Sequence, residues 1–208
     1  MVNKLKIFNN FNIPNKFKKS IILIGNFDGL HSGHQKLFEL AKKYKTKYKS
    51  KVGVVTFDPI PKMFFNTQIK NYRISNFNQK VIYLKKFGVD FVINKKFDKN
   101  FSKINYHKFI KDILSRKLRS KFIFVSNNFR FGHKREGDVS QLKKYESDFG
   151  YNLINPAPLM KNKKIISSTV IRKLLEEGKL SKANTFLKRN WEIEGIVQRG
   201  RMMGQKIG

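Results

Sequence analysis

The stretch that most constrains this chain is Ile21-Ile22-Leu23-Ile24, followed at once by Gly25-Asn26-Phe27-Asp28-Gly29-Leu30-His31-Ser32-Gly33-His34. A short, unbroken aliphatic run bounded by a turn signal suits a strand covered on both faces. Leu37, Leu40, Ala41 and Tyr44 then recur at helical spacing. A buried strand therefore hands a glycine-rich turn to a helix N-terminus. Unpaired backbone N–H groups and the positive end of the helix dipole favour an anion there. Two of the chain's four histidines, His31 and His34, fall three residues apart and share one face of the first helical turn. Gly25 and Gly29 let a phosphate approach the main chain, and the imidazoles can add donors to its oxygens. The local reading is a nucleotide-phosphate site; the plainer one, two histidines capping an ordinary turn, stands beside it.

The remainder of the chain alternates strand and helix patterns. Val52 to Phe57 reads as a second buried strand, so strand, helix and strand make a βαβ unit with a parallel sheet and a right-handed crossover. Ligands bind at the carboxyl ends of such strands, where Phe57-Asp58-Pro59-Ile60-Pro61 sits, its two prolines stiffening the exit. Phe77, Val81 and Leu84 form a helical stripe that Gly88 closes, ahead of a strand at Phe91 to Ile93. Tyr106, Phe109, Ile110, Ile113, Leu114 and Leu118 mark an amphipathic helix with His107 and Lys108 on its wet side. Phe122 to Val125 is a strand, a helix surrounds Leu142 and Tyr145, and a short strand runs near Tyr151 to Ile154. Together these predict a doubly wound α/β domain.

Two further loops carry chemistry. Ser126 to Asp138 interleaves Phe129 and Phe131 with Arg130, His133, Lys134 and Arg135. Such a loop can stack a ring and hold its phosphate, or grip single-stranded nucleic acid, or simply tuck its phenylalanines into the core. Ser167-Ser168-Thr169-Val170-Ile171-Arg172 opens a helix ended by Gly178, with a second short helix at Lys182 to Leu187. Capping accounts for the hydroxyls. It leaves Arg172, which from the first turn can reach a phosphate. Beyond Trp191 the character changes: Glu192 to Val197 reads as a strand with Gln198, Arg199 and Gly200 as its exit, and Arg201 to Gly208 is punctuated by glycine.

Charge is the property that could redirect the reading. Forty-five Lys plus Arg against 14 Asp plus Glu give a net charge of +31, which attracts polyanions and raises a basic nucleic-acid-binding protein as an alternative class. The lysines are spread over the whole chain among Asn, Ile and Phe, which points to a compositional bias and not to one binding face. The absence of cysteine excludes disulfides, thiolate zinc and a cysteine nucleophile. No secretory h-region or membrane-length apolar run is present, so a cytoplasmic location is the default.

The loops together resemble the FAD synthetase module of bacterial bifunctional riboflavin kinase/FAD synthetases, within the HxGH nucleotidylyltransferase superfamily. Gly25 to His34 resembles the HxGH signature, Thr56-Phe57-Asp58-Pro59 the family's Thr-Phe-x-Pro, Asn128-Phe129-Arg130-Phe131-Gly132 its Asp/Asn-Phe-x-Phe-Gly loop, and Ser167 to Arg172 its Ser-Ser-Thr-x-Ile-Arg signature. The chain departs from the pattern at Ile60 (usually His), Ser126 (usually Gly), and Lys188 and Asn190 (commonly Gly and Pro).

The resemblance implies a Rossmann-like doubly wound parallel sheet over residues 1–187. Residues 188–208 would be a linker and the beginning of a β-barrel riboflavin kinase domain, cut short before its Pro-Thr-Ala-Asn motif, so riboflavin phosphorylation is not expected. It also implies transfer of AMP from ATP to FMN, giving FAD and pyrophosphate, with Mg²⁺ carried mainly by the nucleotide and no all-protein metal site. His31, His34 and Arg172 would be catalytic. Gly25, Phe27, Asp28, Gly29, Ser167, Ser168 and Thr169 would join them on the ATP side, and Phe57, Asp58, Pro59, Asn128 and Arg130 would face the flavin. The same fold acting on another phosphorylated acceptor, such as phosphopantetheine or nicotinate mononucleotide, is the nearest alternative.

Overall fold

A computed structural model describes residues 5–69, 72–161 and 164–196. Its elements run β1 (Lys6–Phe8), β2 (Ile21–Ile24), α1 (Ser32–Tyr48), β3 (Val52–Asp58), α2 (Pro61–Phe65), α3 (Phe77–Lys86), β4 (Phe91–Lys96), α4 (Lys99–Ser102) and α5 (Tyr106–Lys108). Next come a π-helical continuation, Phe109–Lys117, then β5 (Phe122–Phe124), α6 (Val139–Lys144), α7 (Glu146–Phe149), β6 (Asn152–Ile154), β7 (Met160–Lys161), β8 (Lys164–Ile165), α8 (Ser168–Glu176) and α9 (Leu180–Leu187).

Six strands form one parallel sheet in the order β1-β4-β3-β2-β5-β6. From β2 the chain winds outward through β3 and β4, then returns to place β5 on the other side of β2. The reversal of strand order leaves a crevice at the carboxyl ends of β2 and β5, the usual ligand position in open α/β sheets.

Alternation along the strands feeds two cores. Ile21, Leu23, Val54, Val92, Phe122 and Phe124 pack towards α1 and α3. Ile22, Ile24, Val55, Ile93, Ile123 and Val125 pack towards Ile110, Ile113 and Leu114 on the opposite face. The inner strands β2, β3, β4 and β5 are thus covered on both sides along their buried stretches, which is why these read as unbroken apolar runs and not as alternation. Gly53 makes room for one of the larger rings: a Cβ there would lie 2.1 Å from Cζ of Phe91.

A third, smaller cluster joins Ile171, Ala183 and Leu187 to Ile74, with Trp191 packed against it. The Trp191 indole N–H donates to the Ile74 carbonyl at 2.8 Å, and Gln79 Nε2 donates to the Glu192 carbonyl at 3.1 Å. The segment after α9 is thereby fastened to the loop that enters α3.

Three expectations change. Glu192 to Ile196 form no strand, and Val197 and the glycine-punctuated stretch after it lie outside the described residues. A strand unforeseen in the sequence, β1, closes one edge beside β4. His107 is not on a wet face: it is half-buried, with its ring 5.3 Å from that of Tyr145 and 5.7 Å from that of Phe149. No helix among the described residues is long and apolar enough to cross a membrane.

Candidate functional site

The Gly25–His34 turn leaves β2 at the crevice. Continuing the strand register sets Gly25 level with Thr56 on one side and Ser126 on the other. The turn is tight enough to need left-handed backbone at Phe27 (φ 46°), Gly29 (φ 75°) and Leu30 (φ 41°). For Phe27 and Leu30 that conformation costs energy, and such strain persists only where the surroundings over-determine it. The Phe27 ring supplies part of that restraint. It lies under the turn, 3.2 Å from where a Gly25 Cβ would be, and packs at 5.2 Å from the His34 ring and 5.1 Å from the Phe38 ring. Phe27 therefore shapes the turn from below.

Asp28 is the knot that ties three segments. Buried to 2% exposure, its carboxylate accepts the Ile74 N–H at 3.0 Å, the Ser75 N–H at 3.4 Å and Arg172 Nη2 at 2.8 Å. Its backbone carbonyl accepts Ser168 Oγ–H at 2.9 Å, and Ser75 Oγ accepts the Gly29 N–H at 3.3 Å. Arg172 is held on its other edges too. Its Nε donates to the Tyr72 carbonyl at 2.8 Å, and its guanidinium stacks 3.7 Å from the Tyr72 ring centre. The sequence suggested an arginine free to reach a phosphate. The structure instead ion-pairs it to Asp28, so its charge stands beside the turn already engaged.

His31 and His34 stack on each other with ring centres 3.7 Å apart and planes 22° from parallel. Neither side chain caps the helix: His31 occupies the N-cap position without a side-chain cap bond. Among the described residues, His31 Nδ1, Ser32 Oγ and His34 Nδ1 are sealed from solvent without a hydrogen-bond partner. Three such orphans on one helical turn are unusual, because buried polar atoms are nearly always satisfied.

Burial, followed by the Arg172 charge, pushes His31 down to about 4. Burial, then His31, then Lys80 hold His34 well below the ordinary histidine value. At neutral pH both imidazoles are uncharged and work as hydrogen-bonding groups.

Lys80, which the sequence reading overlooked, bonds the turn at Asn26 and lies close enough to His34 to act on its charge. It is 5% exposed, donates from Nζ to the Asn26 carbonyl at 2.8 Å and reaches Thr56 Oγ1 at 3.5 Å. A signal was present. Lys80 occupies the i+3 place in the Phe77, Val81, Leu84 stripe, an apolar position on an amphipathic helix. In a chain this rich in lysine the misplaced charge is easily missed. The Asn76–Gln79 capping box that starts α3 fixes its orientation.

The remaining predicted residues divide. Ser167 caps α8 by accepting the Val170 N–H at 3.4 Å, Ser168 is tied to the turn through Asp28, and Thr169 is exposed. Asp58 pairs with Arg73, Phe57 packs against Phe97 and Phe101, and Pro59 is half-buried beside the buried Ile60. Phe129 and Phe131 stack on one another at 5.3 Å and join the core, so of the three readings for that loop its rings take the last. Asn128 and Arg130 stay exposed and line a cleft of about 340 Å³ with Asp138, which holds Arg130 at 2.8 Å. Ser126 Oγ donates to Asn128 Oδ1 at 2.9 Å. Among the described residues no group of three His, Asp or Glu side chains is placed to hold a metal. Asp28 and Asp58 are both taken up by arginines, a donor set that fits a metal arriving on a phosphate better than a bare ion.

Known proteins match this chain over most of its length. The sequence family described as FAD synthetase matches residues 13–170. The chain is 39% identical over 196 residues to a bifunctional riboflavin kinase/FMN adenylyltransferase of Buchnera aphidicola from Acyrthosiphon pisum, covering 94% of this chain and 63% of the relative. It is 35% identical over 188 residues to the same-named protein of Escherichia coli K12, covering 90% and 60%. A FAD synthetase of Listeria monocytogenes is 31% identical over 194 residues, covering 92% and 78%. The chain thus spans less than two thirds of the bifunctional relatives. A crystal structure described as a macrolide-efflux protein from Streptococcus pneumoniae superposes with a TM-score of 0.78 at 25% identity, covering 90% of this chain and 72% of that one.

Proposed function

Because the chain belongs to the FAD synthetase family, we propose that it is an FMN adenylyltransferase, converting ATP and FMN to FAD and pyrophosphate. The observation that carries this is the stacked His31–His34 pair, both Nδ1 atoms unpartnered among the described residues, at a helix N-terminus on the switch point of the sheet. In this reading an FMN phosphate oxygen attacks the α-phosphorus of ATP. One P–O bond forms there while the bond to the departing pyrophosphate breaks. The nucleophile is already anionic, so positioning and charge stabilisation suffice and no side-chain nucleophile is required.

The neutral imidazoles of His31 and His34 donate to the α-phosphate and the leaving oxygen, and Gly25 and Gly29 keep the main chain close to the nucleotide. Arg172, held by Asp28, adds fixed positive charge while Ser167, Ser168 and Thr169 form the opposite wall. Asn128, Arg130 and the Phe57 to Pro59 exit are the acceptor side. Mg²⁺ comes with the nucleotide, neutralising phosphate charge when bound. Residues 1–187 are the adenylyl-transfer unit and 188–208 lead towards the region in which the bifunctional relatives continue. We place the reaction in the cytoplasm, where both substrates are found.

The test is incubation with FMN, ATP and Mg²⁺, with FAD and pyrophosphate measured, beside parallel mixtures offering phosphopantetheine or nicotinate mononucleotide. FAD formation supports the proposal. Folded protein that makes none, or that prefers another acceptor, overturns it.

A further inference from the structure

Lys80 is a buried cation that is joined to no carboxylate in an ion pair among the described residues, since Asp28 is taken by Arg172 and Asp58 by Arg73. Its Nζ bonds a neutral carbonyl and a neutral hydroxyl, at Asn26 and Thr56. Such an arrangement is costly: burying an ammonium without a paired charge forfeits hydration that neutral acceptors only partly restore. A hydrophobic residue at this helical position would pack into the core at no such cost. The cation stands under the Gly25–Phe27 turn and close enough to His34 to influence its ionisation.

We propose that Lys80 is a positioning residue for nucleotide binding, holding the turn through the Asn26 carbonyl and completing its charge balance only when a polyphosphate occupies the site. This rests on the adenylyl-transfer reading above. The head group faces His34 from α1, Asp28 from the turn, Asp58 from the end of β3, and Arg73. Burial dominates and lowers Lys80 to about 8; Asp28 and Asp58 oppose this, and Arg73 reinforces it. The ammonium is therefore lost as pH rises through about 8, and the pull on a polyphosphate goes with it. With both imidazoles neutral, Lys80 and Arg172 are the charges on which the turn depends.

The test uses the full chain with Lys80→Met and Lys80→Arg. Three measurements are made: FAD formation from pH 6 to 10, calorimetric binding of a non-hydrolysable ATP analogue with Mg²⁺, and thermal unfolding. Loss of a charge-assisted hydrogen bond corresponds to about 10- to 100-fold. In Lys80→Met, kcat/KM for ATP and affinity for the analogue should both fall by that factor, with KM for FMN little changed. The melting temperature should stay level or rise, because an unpaired buried charge has been removed. Wild-type kcat/KM for ATP should decline above about pH 8. Lys80→Arg, which keeps its charge, should lack that decline and retain most of the affinity.

Analogue binding by Lys80→Met within about threefold of wild type, below any resolvable loss of such a bond, overturns the proposal. So does an alkaline decline that persists unchanged in Lys80→Arg. If Lys80→Met does not fold, Lys80→Gln, which can still bond Asn26, takes its place under the same criteria. If wild type binds the analogue but makes no FAD, the adenylyl-transfer reading fails while the binding comparison still decides the role of Lys80.

Discussion

Asp28→Asn tests whether the carboxylate at the centre of the site is primarily architectural. Asp28 is 2% exposed and its partner Arg172 retains 14% side-chain exposure, so the pair lies largely out of water. The substitution removes the charge facing the guanidinium. It also forces a side-chain NH₂ against one of its donor partners, the Ile74 and Ser75 N–H groups or Arg172. Removing one member of a buried ion pair costs about 3–5 kcal/mol. For a chain of this size each kcal/mol moves the melting temperature by roughly 2–4 °C, so the expected drop is about 6–20 °C.

The matched control is Asp58→Asn. The Asp58–Arg73 pair has side chains 42% and 30% exposed, and an exposed pair is worth about 0–1 kcal/mol. Circular dichroism melts of both variants beside wild type make the measurement. Adding Arg172→Met to Asp28→Asn should recover part of the loss, since the stranded cation is then gone. An Asp28→Asn protein within about 1 kcal/mol of wild type, the range of an exposed pair, would refute the reasoning. Equal losses in the two single variants would refute it too.

Other outcomes follow from the same geometry. His31→Ala should lower turnover about 100- to 1,000-fold, the usual loss for one preorganised donor, in a protein that still melts cooperatively; near-normal turnover would remove the histidine from the chemistry. His31 is held at about 4 against an ordinary 6.5, so below pH 6.5 the unfolded chain binds a proton that the folded one refuses. Stability is full above that value and falls as pH drops towards 4, by about 2–3 kcal/mol at pH 4.5. Urea midpoints of wild type and His31→Gln should therefore converge on acidification. Gly29 has φ 75° and a Cβ there would sit 2.9 Å from Ile74 Cγ2, whereas Gly150 at φ 67° has nothing within 4 Å. Gly29→Ala should cost about 2–4 kcal/mol and Gly150→Ala only about 1–2, measured by chemical denaturation.

The central sheet was legible because its strands are buried on both faces. Ile21–Ile24, Val52–Phe57 and Phe122–Val125 declare themselves as apolar runs whatever surrounds them. Lys6–Phe8 does not: it is an edge strand with two exposed residues of three, and only its pairing with β4 makes it a strand. Residues 192–196 show the reverse failure, a β-compatible sequence held outside any strand, with Gln79 and Tyr83 bonding Glu192 and Asn76 bonding Glu194. The histidine pair could be found from spacing alone, because i and i+3 meet on any helix. The pairing of Asp28 with Arg172, 144 residues apart in sequence, and the hidden position of Lys80 depend on how separate elements dock. Local pattern contains no record of the ion pair, and of Lys80 it shows only a cation at an apolar place in the α3 stripe.

Trp191 is the chain's single tryptophan, and its indole N–H is bonded to the carbonyl of Ile74, the residue whose own N–H is given to Asp28. The given sequence thus holds one indole fluorophore, one peptide unit away from the knot of the site and selectable from the seven tyrosines by excitation at the red edge. Any occupant that shifts the Ile74 loop alters the indole's hydrogen bond and hence its emission. A flavin drawn into the crevice adds a second optical effect, since it absorbs where indole emits. On the proposed adenylyl-transfer reading, nucleotide and acceptor binding should be separable by colour, as a spectral shift for one and quenching for the other, without a label or a coupled enzyme.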